Sequence, residues 1–403
     1  KPNRTFKNNR YVKKESMKMK IEIKKSNILP FLAVGTLFYS LFPIYIWGTA
    51  MAANSRTIAV CLGTAYILTN INIIKCKKYV WHLMYIAVIV LSSYFNYPHT
   101  SVNNILNIII PGLFVLNIFL IPDVLVSIKK EKELIKWLTF YSLIWLAFLT
   151  VSVYTQVGID AGEYNPYFIG NKFNASYFYI ILTCLFDLKR MRNPNKKTRL
   201  LWGLCWLFSL ITVLIMKCST AVIMLLVISI LHFCVSKKNF ILKHIKFIIF
   251  ALIIFTTAII LKFDDIISSQ TVSTFLHDVG EVGTIESRAK IYTYLPNIIS
   301  QKMWLGYGYN SNIVAKVIAG NAQNALLHII VQFGVIGAVA FIMMTISSIK
   351  SAIKKNGYDI RPVIYYIIAF IFAGVIEITF GFYFYFLLSL LIIENRKEVA
   401  ENG

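Results

Sequence analysis

The chain has 403 residues, 57% of them hydrophobic and only 15% charged, with a formal net charge of +23 and a mean hydropathy of +0.65. A soluble globular chain carries about 25% charged residues, so this balance excludes an ordinary soluble domain and points to a polytopic membrane protein. The excess of Lys and Arg invites a nucleic-acid reading, which its distribution along the chain excludes.

Residues 1–27 form a basic N-terminal segment expected on the cytoplasmic side. Because the chain opens on Lys1, the start is expected to be either processed or artificial, with Met17 or Met19 as candidate natural starts and residues 1–16 then vector-derived. No small-residue cleavage site follows the first apolar run, so that run is expected to remain as the first span. From there the pattern predicts membrane helices at 28–50, 57–74, 79–96, 102–126, 135–155, 174–188, 200–216, 219–235, 246–261, 323–348, 362–378 and 382–393. In lipid the backbone must bond internally, and no run alternates as a barrel strand does, so the expected class is all-α with about twelve transmembrane helices. With the N-terminus inside, 33 of the 41 Lys and Arg fall on the cytoplasmic side and eight outside. That asymmetry is the positive-inside pattern, and the basic charge is a topology device. Residues 200–235 and 362–393 have inside-type ends, so each must turn back, near Lys217 and near 377–381. Helices one to nine thus occupy 28–261, a large extracytoplasmic loop 262–322, the last three helices 323–393, and a cytoplasmic tail 394–403.

The six cysteines (Cys61, Cys76, Cys184, Cys205, Cys218, Cys234) make no Cys-x-x-Cys pair and imply neither a disulfide framework nor a metal site. No phosphate-binding glycine loop and no carboxylate or His cluster suited to a metal is visible, so no cofactor is expected.

Because few cations face outward, each is informative. Lys217 lies at the tight outer turn before Ser219 and Thr220, where a hydroxyl N-cap, the helix dipole and an ammonium make an anion site; the plain alternative is a lysine snorkelling to lipid phosphate. Arg288, opening an amphipathic stretch of the large loop, suits a bidentate diphosphate clamp, or else pairs with Glu281 or Glu286. Lys290 is expected on another face, solvated. Asp278, Glu281, Glu286 and Glu377 are outward carboxylates able to serve as general base. Of these Glu377, flanked by Ile376 and Ile378, is the costliest to bury, and pairing with a cation is its alternative role. His328, one helical turn from Asn324, reads as a packing histidine or a substrate contact; His82 and His232 read as structural, and Asp123 as solvated or paired.

Four stretches in order resemble the O-antigen ligase and polymerase superfamily, which includes the Wzy-type polymerases. They are Tyr167–Ser176 with Gly170, Asn171 and Asn174; Met216–Ala221; Arg288 through Trp304-Leu-Gly306-Tyr-Gly308-Tyr-Asn310; and Asn321-Ala-Gln323-Asn324 followed by Gly334 and Gly337. The resemblance spans Tyr167 to about Phe341. It implies a membrane-embedded glycosyltransferase of the GT-C type working without a metal on glycans carried by undecaprenyl pyrophosphate. It also implies that Arg288 and Lys217 hold the pyrophosphate. Asn174, Ser219, Tyr292, Gly306, Gly308, Gln323, Asn324 and His328 would line the substrate site, with Trp304 and the loop tyrosines stacking on sugars. A flippase and a chain-length regulator would be its partners besides the bilayer. One departure is Gln323, where the ligases carry a His; glutamine takes no proton at neutral pH. The expected function is therefore polymerisation of lipid-linked repeat units into surface polysaccharide on the outer face of a bacterial cytoplasmic membrane. The alternatives are ligation to another acceptor and a flippase, the latter disfavoured because no internal repeat is seen.

Overall fold

A computed structural model of the chain describes residues 28–45, 48–97, 106–155, 167–234, 244–245, 247–251, 254–255, 282–318, 321–356 and 360–393. Its helices are α1 (Ile28–Leu41), α2 (Thr49–Thr69), α3 (Val80–Phe95), α4 (Leu106–Ser127), α5 (Glu131–Thr155), α6 (Lys172–Arg192), α7 (Lys196–Ile215) and α8 (Ser219–Cys234). They continue with α9 (Val282–Gln301), α10 (Ile313–Val317), α11 (Ala325–Asn356), α12 (Arg361–Ala373) and α13 (Phe382–Ile393). Among the described residues the only β-type pairing is an isolated bridge between Tyr167 and Gly170. The all-helical, multi-pass class is therefore correct. Five of these helices (in α3, α4, α5, α7 and α11) are long and apolar enough to cross a membrane by themselves. The expected ninth span, 246–261, and the loop segment 262–281 with Asp278 and Glu281 lie largely or wholly outside the described residues.

Several helix ends follow from their capping residues. Asn171 caps α6, its side chain accepting from the N–H of Phe173 (3.1 Å) and Asn174 (3.0 Å). Asn195 and Thr198 form a capping box on α7. The expected first span, 28–50, is too long. Pro43 has no N–H to continue a helix, so α1 stops at Leu41 and α2 starts at Thr49, eight residues before expectation. Arg56 consequently sits on a helix rather than in a loop.

Successive helices alternate in direction, and one end of the bundle is tied by ionic contacts. There Lys78 pairs with Asp123 (2.7 Å), Glu131 approaches Arg192 (3.9 Å), and the fully buried Asp187 holds Arg190 (2.6 Å), with His232 Nε2 standing 2.7 Å from its other oxygen. This end carries the basic α2–α3, α4–α5 and α6–α7 connections; the opposite end carries Arg56, Lys172, Lys217, Arg288 and Lys302. α6 and α12 form the centre, buried along nearly their whole lengths. α7 lies outside and exposes Leu200, Leu204, Leu207, Ile211 and Leu214, spaced as one helix face suited to lipid. α12 has only 13 residues, about 20 Å of helix against a hydrocarbon core of about 30 Å. Its first residue, Arg361, shares a pocket with Arg190 and His232 at the ionic end, so the α12–α13 turn stops short of the other end and floors a recess there.

Candidate anion-binding recess

The recess is built where α6, α8 and α11 begin, each presenting the positive end of its dipole toward the same end of the bundle. Glu377 lies in the α12–α13 turn on its floor and is 7% exposed. Its Oε1 accepts the N–H of Ile378 at 2.9 Å. Burial pushes its carboxyl above the ordinary glutamate range, while the Ile378 N–H and then the positive charges of Arg288 and Lys172 draw it back. Arg288 and Lys172 therefore stand within electrostatic reach of one carboxylate.

Arg288 is half-buried near the start of α9, and among the described residues its buried Nε has no hydrogen-bond partner. A buried donor left unpaired costs about 1–3 kcal/mol, and more when charged, so this atom is poised for an acceptor that the described residues do not supply. One turn further, Tyr292 is 6% exposed and donates its hydroxyl to the backbone carbonyl of Gln323 at 3.0 Å. Burial raises its phenol to about 12, against the nearby Arg288, so it stays a donor at neutral pH. Gln323 has a left-handed backbone (φ 48°), and its N–H bonds Asn321 Oδ1 at 3.0 Å. Asn324 is buried; its Oδ1 caps α11 through the Leu327 N–H (3.0 Å), and its Nδ2 donates to the Val375 carbonyl (2.9 Å). With Ala325 N–H donating to Gly374 O at 2.8 Å, this ties the start of α11 to the turn bearing Glu377. On the far side Tyr177 of α6 lies within electrostatic reach of both Glu377 and Cys218, and its ring stands 5.7 Å from that of Tyr383.

The structure thus brings Arg288, Glu377, Tyr292, Gln323 and Asn324 together and adds Lys172 and Tyr177, which the sequence reading passed over. Lys172 follows the helix cap Asn171 and is the only lysine between residues 156 and 172 of the sequence, a signal that was available. Asn174 stands half-buried in the first turn of α6. Lys217 and Ser219 are at the same end but exposed. Lys217 closes α7 in a left-handed conformation (φ 52°), its N–H bonding Leu214 O (3.0 Å) while Cys218 N–H bonds Val213 O (3.2 Å). Cys218 rather than Ser219 holds the position before α8, its carbonyl accepting from Val222 N–H (3.2 Å), so the expected hydroxyl cap is not there. His328 is half-buried on α11, one turn beyond Asn324.

Gly306 and Gly308 lie in a strap, residues 302–309, that runs along a break in α11. At Gly334 the helix leaves helical geometry (φ 67°, ψ −173°). The carbonyls of Val331 and Gln332 accept from Tyr307 N–H (2.9 Å) and Gly308 N–H (2.8 Å), and the freed N–H groups of Val335 and Ile336 donate to Met303 O (2.8 Å) and Trp304 O (3.3 Å). The Ser92 hydroxyl sits between the carbonyls of Leu305 and Gln332, and Asn96 donates from Nδ2 to Gly306 O at 3.0 Å while its Oδ1 accepts from Lys302. Irregular backbone at membrane depth survives where protein satisfies it in this way. A side chain at Gly306 or Gly334 would meet backbone of the facing segment at 2.5 Å or 2.1 Å. Close backbone approach accounts for both glycines.

These features define a multi-pass α-helical membrane protein with a cationic recess at one end of its bundle. Residues 203–342 match the family model described as O-antigen ligase, and this match supports the O-antigen polymerase/ligase superfamily. The matched stretch contains Lys217, Ser219, Arg288, Tyr292, Gly306, Gly308, Gln323, Asn324 and His328; Lys172, Asn174 and Glu377 lie outside it. No curated protein matches the chain.

Proposed function

We propose that the chain is a membrane glycosyltransferase that polymerises undecaprenyl-pyrophosphate-linked repeat units on the outer face of the cytoplasmic membrane. A hydroxyl at the non-reducing end of one unit attacks the anomeric carbon of the growing glycan. The new C–O bond forms as the bond to the pyrophosphate oxygen breaks, and that oxygen leaves with the electron pair. Arg288 neutralises the departing pyrophosphate, with Lys172 and Lys217 at the rim. Glu377 takes the hydroxyl proton, while Tyr292, Gln323, Asn324 and Asn174 bind sugar hydroxyls and the exposed Trp304 stacks on a ring. The observation that carries this reading is the buried Arg288 Nε, without a partner among the described residues, beside a carboxylate that its charge influences.

Polymerisation is favoured over ligation because Gln323 stands where the ligases carry a His, leaving Glu377 as the proton acceptor. Purified protein given lipid-linked repeat units alone should yield a ladder, which a ligase cannot. Arg288→Ala should slow the ladder about 10²–10³-fold, as loss of one preorganised donor to a transition-state oxyanion does. A near-normal ladder from equal amounts of R288A protein would remove the clamp.

A further inference from the structure

A second cationic cavity opens at the same end of the bundle. It has a volume of about 280 Å³ and is lined by Pro43, Tyr45, Arg56, Phe114, Tyr309 and Phe382, among others. The Arg56 guanidinium carbon lies 4.6 Å from the ring centre of Phe114 and 4.9 Å from that of Phe382. Stacking of this kind fixes the plane of the guanidinium and leaves its edge free to donate. Among the described residues Arg56 has no ion pair and no hydrogen bond, and neither the Tyr45 nor the Tyr309 hydroxyl has a partner. Three donor groups therefore surround one cavity whose other walls are aromatic and aliphatic. That is the chemistry of an anionic head with an apolar or sugar-bearing continuation.

The cavity is separated from the Glu377 recess by Tyr383 and Tyr177. Tyr383 stacks on Phe42 at 5.2 Å between centroids and lies within electrostatic reach of Arg56, while Tyr177 lies within reach of Glu377. Resting on the polymerase reading, the stoichiometry of the reaction then becomes informative. Joining two lipid-linked units requires two pyrophosphates bound at once, on one side of the membrane and a few sugars apart. Arg288 accounts for one of them. We propose that the Arg56 cavity seats the pyrophosphate of the second unit, the acceptor, which keeps its lipid while its far hydroxyl reaches across the tyrosine wall.

Two measurements on the full-length purified protein test this. The first is binding of farnesyl diphosphate, with phosphatidylglycerol as competitor. Wild type should bind two equivalents, Arg56→Gln one and Arg288→Gln one. The losses are expected because a charge-assisted hydrogen bond removed from a binding site costs about tenfold or more in affinity. Displacement from the Arg56 cavity by equimolar phosphatidylglycerol would make it an ordinary phospholipid site and overturn the proposal, as would a single equivalent in wild type. The second is a two-substrate assay. An acceptor-only unit has its anomeric oxygen replaced by carbon, and a donor-only unit has its terminal hydroxyl capped. R56Q should raise KM for the acceptor-only unit about tenfold and leave the donor-only KM within about twofold. A rise confined to the donor-only unit overturns it. Should R56Q fail to elute as a folded species, Tyr45→Phe with Tyr309→Phe keeps both rings and should still weaken binding of one equivalent; unchanged binding there counts against the cavity. Two equivalents bound without any glycosidic product would instead sink the polymerase reading and leave the cavity standing.

Discussion

Replacing Gly334 by alanine tests the joint between the strap and the broken helix. The backbone there (φ 67°, ψ −173°) belongs to a region essentially reserved for glycine, and forcing an L-residue into it costs about 1–3 kcal/mol. The added Cβ would stand 2.1 Å from the Trp304 carbonyl oxygen and 2.2 Å from its carbon. No real Cβ tolerates that, so the strap must retreat by about an ångström. Retreat endangers the four crossing hydrogen bonds of 2.8–3.3 Å, each contributing about 0.5–1.5 kcal/mol net and more where its groups are left unpaired away from water. The total expected loss is at least about 3 kcal/mol. Gly203 supplies the control: it lies in α7, nothing stands within 4 Å of its added Cβ, and alanine there should gain about 0.5–1 kcal/mol. Thermal unfolding of the purified proteins in one detergent, followed by tryptophan fluorescence, compares the two. Gly334→Ala melting with wild type, or melting no lower than Gly203→Ala, refutes the argument that the joint needs a bare backbone.

A pH profile tests the role given to Glu377. A base works deprotonated, so kcat/KM should rise with pH through its pKa; Arg288 lowers that pKa, and Arg288→Gln should therefore move the acid limb to higher pH while also slowing the reaction. Glu377→Gln should abolish the limb, and an acid limb unmoved by R288Q would remove the coupling. At the opposite end, Asp187→Asn strips the buried carboxylate from Arg190 and His232. It should destabilise the protein by about 3 kcal/mol, the low end for breaking a buried pair because Arg190 keeps 22% side-chain exposure. Thermal unfolding in the same detergent reads this, and a melt within a degree of wild type would contradict it.

Helix direction and the gathering of Lys172, Lys217 and Arg288 at one end of the bundle were legible because charge and hydropathy act residue by residue. Arg288 and Glu377 drew notice for the same reason: a guanidinium in an expected outer loop and a carboxylate between isoleucines stand out locally. Lys172, Tyr177 and Arg56 were missed because their meaning comes from partners far along the chain, such as Glu377 for the first two and Phe382 for the third. The stop at Pro43 was visible and was overridden by the apolar run around it. The break at Gly334 was not visible, since glycine is common in membrane helices and the bonds that replace the lost helical ones come from residues 303–308. Gly306 and Gly308, expected as substrate contacts, lie in the strap against the backbone of α11, a placement that only the fold reveals.

The joint between strap and α11 is made almost wholly of main-chain groups, which no substitution short of proline can delete. Homologues of this chain can therefore vary those strap side chains that have no other partner while keeping the same architecture. What selection must preserve is the absence of a side chain at 306 and 334. Distant members of such a lineage would share two bare positions a fixed way apart and little else in that region, which is a pattern that pairwise sequence searches weigh lightly.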